Sequence, residues 1–334
     1  MSLIFARCCG ILLAGFAFVA LPFPAGAQDA KSEAAELLSA VVRVKSKILP
    51  NARSIAILGP ARDGSGVLIR DDLVLTIGYL VIEAESIEVV NAAGKTVPAT
   101  LAGYDHASGF GLLRLVVPLG GKPLPLGDSE ALRERDPVMV ASFGGLEAAS
   151  LAFVVSRRAF TGSWEYMLES AIFTYPPAMN WSGAALISPT GELLGIGSLI
   201  VADAAQSGTQ SPGNMFVPID LLKPILTDLQ QSGRASGPVR PWLGLNTEEL
   251  RGRLFVARVS PGGPAERAGV QDGDIIIGVG GEDVASLADF YRKVWSRGAA
   301  GTEVPLRLLQ GTQVRELNLH SIDRLEYFRA RPSY

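Results

Sequence analysis

Cysteine is all but missing from this chain: of 334 residues only Cys8 and Cys9 carry a thiol. Both fall inside an N-terminal stretch with the make-up of an export signal. Arg7 supplies the positive charge, Ile11 to Leu21 the apolar run and Ala25-Gly26-Ala27 a small-x-small cleavage site. Cleavage after Ala27 would leave a mature chain with no thiol, which excludes a disulfide, a thiol nucleophile and a Cys-ligated metal. The apolar run is broken by Pro22 and Pro24. It falls short of the roughly 20 residues of a spanning helix, so a periplasmic location without a stable membrane anchor is expected. Histidine is as scarce, His106 and His320 alone, and the acids nowhere adopt ligand spacing, so neither metal nor cofactor is expected. Charge of one sign is lacking too: 30 Lys plus Arg against 33 Asp plus Glu gives a net charge of -3. Without a basic surplus, nucleic acid is excluded as a partner.

What the chain does have is short apolar runs. After an amphipathic helical stretch from Ser32 to Val41, β-like runs follow one another between turn residues, among them Gly66 to Ile69, Ile87 to Val90, Gly111 to Val116, Val138 to Ala141 and Leu193 to Val201. Many short strands with few helices predict an all-β barrel or sandwich. This region closes with Met215 to Pro218 and a helix from Ile219 to Gln231, which carries Leu222, Ile225, Leu226 and Leu229 on one face. Ser232 to Pro241, rich in Gly, Ser, Pro and Arg without apolar periodicity, has the composition of a linker. From Trp242 to Asp323 there is room for one more domain, with a helix from Leu287 to Trp295. The division expected is a signal over 1–27, a β-rich domain over 28–231, a linker over 232–241, a second domain over 242–323 and a tail over 324–334, too short and charged to fold alone.

Several motifs occur in a telling order: Gly64-Ser65-Gly66-Val67-Leu68-Ile69, Val74-Leu75-Thr76, Ser182-Gly183-Ala184-Ala185-Leu186 and Gly191-Glu192-Leu193-Leu194-Gly195-Ile196. Together they resemble the HtrA/DegP-type trypsin-like serine proteases. The second domain, with Trp242-Leu243-Gly244-Leu245, Ser260-Pro261-Gly262-Gly263-Pro264-Ala265 and Gly273-Asp274-Ile275-Ile276, is similar to the PDZ domain of that family. The resemblance implies a mainly β protein: a trypsin-like double β-barrel followed by an α+β PDZ domain.

Trypsin-like chemistry needs a hydroxyl nucleophile, an imidazole to carry its proton and a carboxylate to orient the imidazole. At the matching positions this chain keeps Ser182, but holds Tyr79 where the family has the histidine and Gly109 where it has the aspartate. A phenol with an ordinary pKa of about 10 is a poor general base near neutrality. Asn180 stands at the oxyanion-hole position in place of glycine, and Ala184 replaces a second glycine. His106 reads as an exposed loop histidine beside Asp105, His320 as structural or solvent-facing, and Tyr79 as a filler of the lost imidazole's volume.

Two function classes follow. In the first, the protein is proteolytically inactive and binds peptides or protein C-termini through the PDZ domain, in envelope protein quality control or regulation. The loop Trp242-Leu243-Gly244-Leu245 would capture the carboxylate through the amides of Leu243, Gly244 and Leu245, with Arg240 adding positive charge. Leu254 to Val259 is the expected edge strand, and Phe290, Tyr291 and Val294 would line the groove. In the second class the protein is an active or weakly active endopeptidase using Ser182. The resemblance also implies a homo-trimer built on N-terminal aromatic contacts, but Lys31 to Leu49 contains no aromatic residue.

Overall fold

In the computed structural model the described residues are 25–328; the greater part of the expected export signal and the last six residues lie outside them. Helix α1 (Ala25–Leu38) leads into β1 (Val41–Ile48). The helical expectation over Ser32 to Val41 thus overran by one turn. Val41 and Val42 are fully covered and pair with Val67 and Gly66, so their branched side chains gain more as strand residues in a barrel wall than on a helix.

The first barrel is closed by β1, β2 (Ala61–Arg70), β3 (Leu73–Ile77), β4 (Ala84–Val90), β5 (Thr96–Tyr104) and β6 (Phe110–Leu115), in the order β1-β2-β3-β6-β5-β4. A short helix α2 (Ile55–Leu58) lies between β1 and β2. The second barrel joins β7 (Pro137–Ala141), β8 (Ala149–Gly162), β9 (Tyr166–Tyr175), β10 (Ala185–Ile187), β11 (Leu193–Val201) and β12 (Gly213–Pro218) in the order β10-β11-β12-β9-β8-β7. Closure leaves no strand edge free, and nearly every residue of β3, β6, β10 and β12 is buried.

The helix expected over Ile219 to Gln231 is interrupted: a 3-10 turn spans Ile219–Leu221, and α3 (Leu226–Ser232) carries the rest. Leu229 of α3 is buried against β5, where Gly103 permits the approach. A Cβ on Gly103 would come within 2.6 Å of the Leu229 carbonyl oxygen. Segment 233–241 is laid against the body of the protein, with Gly233 O accepting from Tyr104 N at 3.0 Å and Val239 O from Ala300 N at 2.8 Å.

The C-terminal sheet runs β13-β14-β15-β17-β18, formed by β13 (Leu245–Leu250), β14 (Arg253–Val259), β15 (Ile275–Val279), β17 (Glu303–Gln310) and β18 (Gln313–His320). The short β16 (Glu282–Asp283) pairs with β15, and α4 (Pro264–Arg267) follows β14. Helix α5 (Leu287–Trp295) has the expected bounds. Its cap explains them: Ser286 Oγ accepts from Asp289 N, and Lys293 meets Asp289 one turn on at 2.8 Å. Leu287, Phe290, Tyr291 and Val294 form its buried stripe. Residues 324–327 form one helical turn, α6 (Arg324–Tyr327), and Tyr327 packs on Trp242 with centroids 4.5 Å apart.

Replacing Gly103 by alanine should loosen α3 from the first barrel and cost about 1–3 kcal/mol, the usual range for overpacking. Urea unfolding of the two forms measures it, and an unchanged midpoint would refute the close approach.

Candidate functional site

Ser182 sits in the turn that enters β10, where the two barrels meet. Its carbonyl accepts from Ser65 N at 2.8 Å, and Gly183 N donates to Gly197 O at 2.9 Å. Gly183 is left-handed at φ 74°, and a Cβ there would lie 1.9 Å from the Ser65 carbonyl oxygen, so only glycine fits. Thr76 Oγ1 donates to that same Ser65 oxygen at 2.7 Å, which locks β2, β3 and the Ser182 turn together. The hydroxyl of Ser182 itself is buried and has no hydrogen-bond partner among the described residues.

Tyr79 follows β3 in a 3-10 turn, half-buried beside this serine. Its hydroxyl donates to the Ser198 carbonyl at 2.8 Å. Burial pushes the phenol up to about 12, against smaller opposing effects of the neighbouring Ser182 and Trp181. Tyr79 is therefore protonated near neutrality, with its proton committed to a backbone oxygen. Gly109 is also left-handed, at φ 83°, and its carbonyl accepts from Gly78 N at 2.7 Å. Tyr166 stands over it: the phenol donates to Ser108 O at 2.6 Å, and a Cβ on Gly109 would meet that phenol oxygen at 3.3 Å. Asn180 is exposed, and its carbonyl accepts from Ser142 Oγ at 2.6 Å. The preceding loop is anchored by the buried side chain of Asn214, which exchanges hydrogen bonds with the Ala178 N–H and carbonyl at 2.6 and 3.0 Å.

His106 is not the exposed loop residue expected. It packs between the rings of Tyr104, at 4.4 Å, and Phe328, at 5.7 Å. Burial and then the charges of Arg324 and Arg234 hold its pKa well below the usual value, so the ring is neutral. The tail residue Phe328 supplies this cover from far along the chain. His320 does face solvent, in β18, 2.9 Å from Glu303. A cavity of about 1500 Å³ has Tyr79, His106, Gly109, Ser182 and Trp242 among its lining residues.

The second group of expected residues lies at the PDZ-like sheet. Leu243, Gly244 and Leu245 turn their N–H groups toward one point, with Gly244 left-handed at φ 84°. That point is taken by the carboxylate of Glu165, from the turn between β8 and β9. Oε2 accepts from Leu243 N at 2.9 Å, while Oε1 accepts from Gly244 N at 2.7 Å and Leu245 N at 2.8 Å. Glu165 is 8% exposed and left-handed at φ 55°, a backbone state that costs a non-glycine residue roughly 1–2 kcal/mol. Trp242 is buried, and its own N–H donates to Ile322 O at 3.1 Å rather than into the loop.

Two expectations need correcting here. Arg240 does not stand by the loop carboxylate; its guanidinium lies 4.2 Å over the Trp295 ring. The cation that acts on the Glu165 carboxylate is Arg324, which also donates to Trp164 O at 3.0 Å. Leu254 to Val259 is not an edge, because β14 is paired on both sides. The outermost strand on this side of the sheet is β13, which leaves the loop directly. Phe290 and Val294 are 1% exposed, in one apolar cluster with Leu243, Leu245 and Met167 of β9.

Comparison with known proteins agrees with this fold. Residues 64–196 match the trypsin-like peptidase domain, and residues 241–320 match the PDZ domain. The "Periplasmic serine endoprotease DegP" of Escherichia coli is 28% identical over 77% of this chain and 56% of its own length. The "Serine protease Do-like HtrB" of Bacillus subtilis is 26% identical over 76% of this chain and 61% of its own. The matched stretch thus spans less than two thirds of these relatives. Among solved structures, "HtrA-type protease AlgW with decapeptide" superposes with a TM-score of 0.53 at 20% identity, over 91% of this chain and 99% of that one. The chain is a trypsin-like peptidase fold joined to one PDZ domain. Its homologues are the HtrA/DegP serine proteases.

The Glu165 carboxyl carries a pH consequence. Burial drives it from 4.5 up to about 7, against the pull of the Leu243, Leu245 and Gly244 amides and of Arg324. Between those two values the folded chain keeps a proton that the unfolded chain has released, so stability present below pH 4.5 is lost as pH rises through 7. Wild type should lose stability relative to Glu165→Gln over that window, by at most about 3 kcal/mol. Urea midpoints at a series of pH values measure this, and parallel profiles for the two forms would contradict it.

Proposed function

We propose that this chain is an exported, periplasmic HtrA-type protein that no longer hydrolyses peptide bonds and that binds protein C-termini through its PDZ domain, in quality control or regulation of the cell envelope. One observation carries the reading. At the position of the general base stands a half-buried, protonated phenol whose proton is already donated to Ser198 O, and a phenol in that state is a poor acceptor for the proton of Ser182 Oγ. The neutral His106 lines the same cavity but is clamped between two rings rather than bonded to the serine. Export rests on the N-terminal signal-like segment and on relatives described as periplasmic. Among the described residues no helix is long and apolar enough to cross a membrane. A homo-trimer is the assembly that the family resemblance implies.

The alternative is a slow endopeptidase using Ser182, favoured by the retained serine and by the activity of the relatives. A fluorophosphonate probe separates the two readings. The mature protein should label no more than Ser182→Ala and hydrolyse unfolded casein no faster. Strong labelling lost in Ser182→Ala would establish the alternative.

Rebuilding the triad by Tyr79→His with Gly109→Asp should yield little turnover. An aspartate at Gly109 would have to adopt φ 83° with its Cβ 3.3 Å from the Tyr166 oxygen, and would not orient an imidazole accurately. Efficient casein cleavage by the double variant would overturn this account.

A further inference from the structure

The place where a PDZ domain takes a peptide terminus is filled here from within the chain. Glu165 lays a carboxylate on the three amides of the Leu243 to Leu245 loop. Two residues earlier, the Ser163 carbonyl accepts from Thr247 N at 2.8 Å, on the outer edge of β13. Two residues later, the side chain of Met167 is 4% exposed within the PDZ apolar cluster. From the opposite wall, the Tyr291 hydroxyl of α5 donates to Gly162 O at 2.8 Å and accepts from Glu165 N at 3.0 Å. A carboxylate in the loop, a backbone bond to the outer strand edge and a buried apolar side chain are the three features that an extended peptide end offers such a groove. A buried carboxylate on backbone donors alone, attached to a left-handed glutamate, is a costly way merely to pack two domains.

We propose that the turn between β8 and β9 is an internal ligand of the PDZ domain, with Glu165 standing in for a C-terminal carboxylate, so that a protein C-terminus with an apolar last residue binds only by expelling this turn. The proposal rests on the peptide-binding reading given above and adds to it a competitor built into the chain. Expulsion breaks the Glu165, Ser163 and Tyr291 contacts together, so an occupied groove and a docked β8–β9 turn exclude each other. The apparent affinity of the wild type for an external terminus is then the intrinsic affinity scaled by the fraction of molecules with the turn released.

The test uses the mature chain, residues 28–334, as wild type, Glu165→Ala and Glu165→Gln. The probe is a fluorescein-labelled octapeptide ending in Leu-Met with a free carboxylate, beside its amidated twin. The acid peptide should bind Glu165→Ala at least about tenfold more tightly than wild type, the amide should gain nothing, and Gly244→Pro should abolish the gain. Equal affinity of wild type and Glu165→Ala for the acid peptide, with the amide rejected by both, would sink the internal ligand while leaving the peptide-binding reading intact. Acid and amide bound alike by all forms would sink both. Hydrogen exchange needs no peptide at all: the amides of Leu243, Gly244, Leu245 and Thr247 should exchange at least about tenfold faster in Glu165→Ala and Glu165→Gln than in wild type. Unchanged protection in both variants would overturn the proposal whichever peptide is chosen.

Discussion

One carboxylate held by three backbone amides fixes how this molecule is put together. Taking the Glu165 side chain out of water costs several kcal/mol unless its oxygens are fully satisfied, and the Leu243 to Leu245 loop supplies the donors in a single tight turn. Once that bond set forms, the second barrel and the PDZ sheet have little freedom to slide past one another. The surrounding contacts then fall into register: Arg324 reaches Trp164 O, Arg292 meets Glu169 at 2.7 Å, and Arg53 of the first barrel reaches Pro261 O at 2.9 Å. The last two pairs are exposed and add little alone. They follow the docking rather than cause it.

Under the reading proposed for Ser182, the region around it is a coherent set of replacements. Tyr79 fills space and finds an acceptor for its hydroxyl; Gly109 accepts a left-handed backbone under the Tyr166 phenol; the Ser182 turn needs its glycine because a Cβ at Gly183 would run into the Ser65 carbonyl of the other barrel. The serine turn is thus preserved for a reason of packing, independent of any chemistry at its hydroxyl. Under the proposed reading, that packing role is what keeps the serine turn in place without the two other triad residues.

Much of the architecture was legible in the chain because barrel strands leave a strong trace: short apolar runs bounded by turn residues, and glycines such as Gly183 that no other residue replaces. The span of α5 was legible in the sequence, and the Ser286 cap with the Leu287, Phe290, Tyr291, Val294 stripe accounts for its bounds. Strand pairing was less so: the sequence points to Leu254–Val259 as the edge instead of β13, because local composition says nothing about which of two adjacent strands lies outermost. The occupant of the carboxylate loop was not legible at all. Glu165 is 78 to 80 residues from its donors, in a hairpin turn where a lone acid is unremarkable. The burial of His106 is illegible for the same reason, since its cover comes from Phe328, far along the chain.

That cover bears on how the protein is handled. Tyr327 and Phe328 close over Trp242 and His106 from beyond the last strand of the PDZ sheet, and Tyr327 OH also donates to Pro261 O at 3.0 Å. A fragment cut just after β18 would hold every strand of the PDZ sheet, yet it would bare the indole of Trp242. Such a fragment would be sticky, and its ligand preferences would be those of an artificially opened surface. Affinity handles are better carried at the α1 end, leaving the aromatic closure undisturbed.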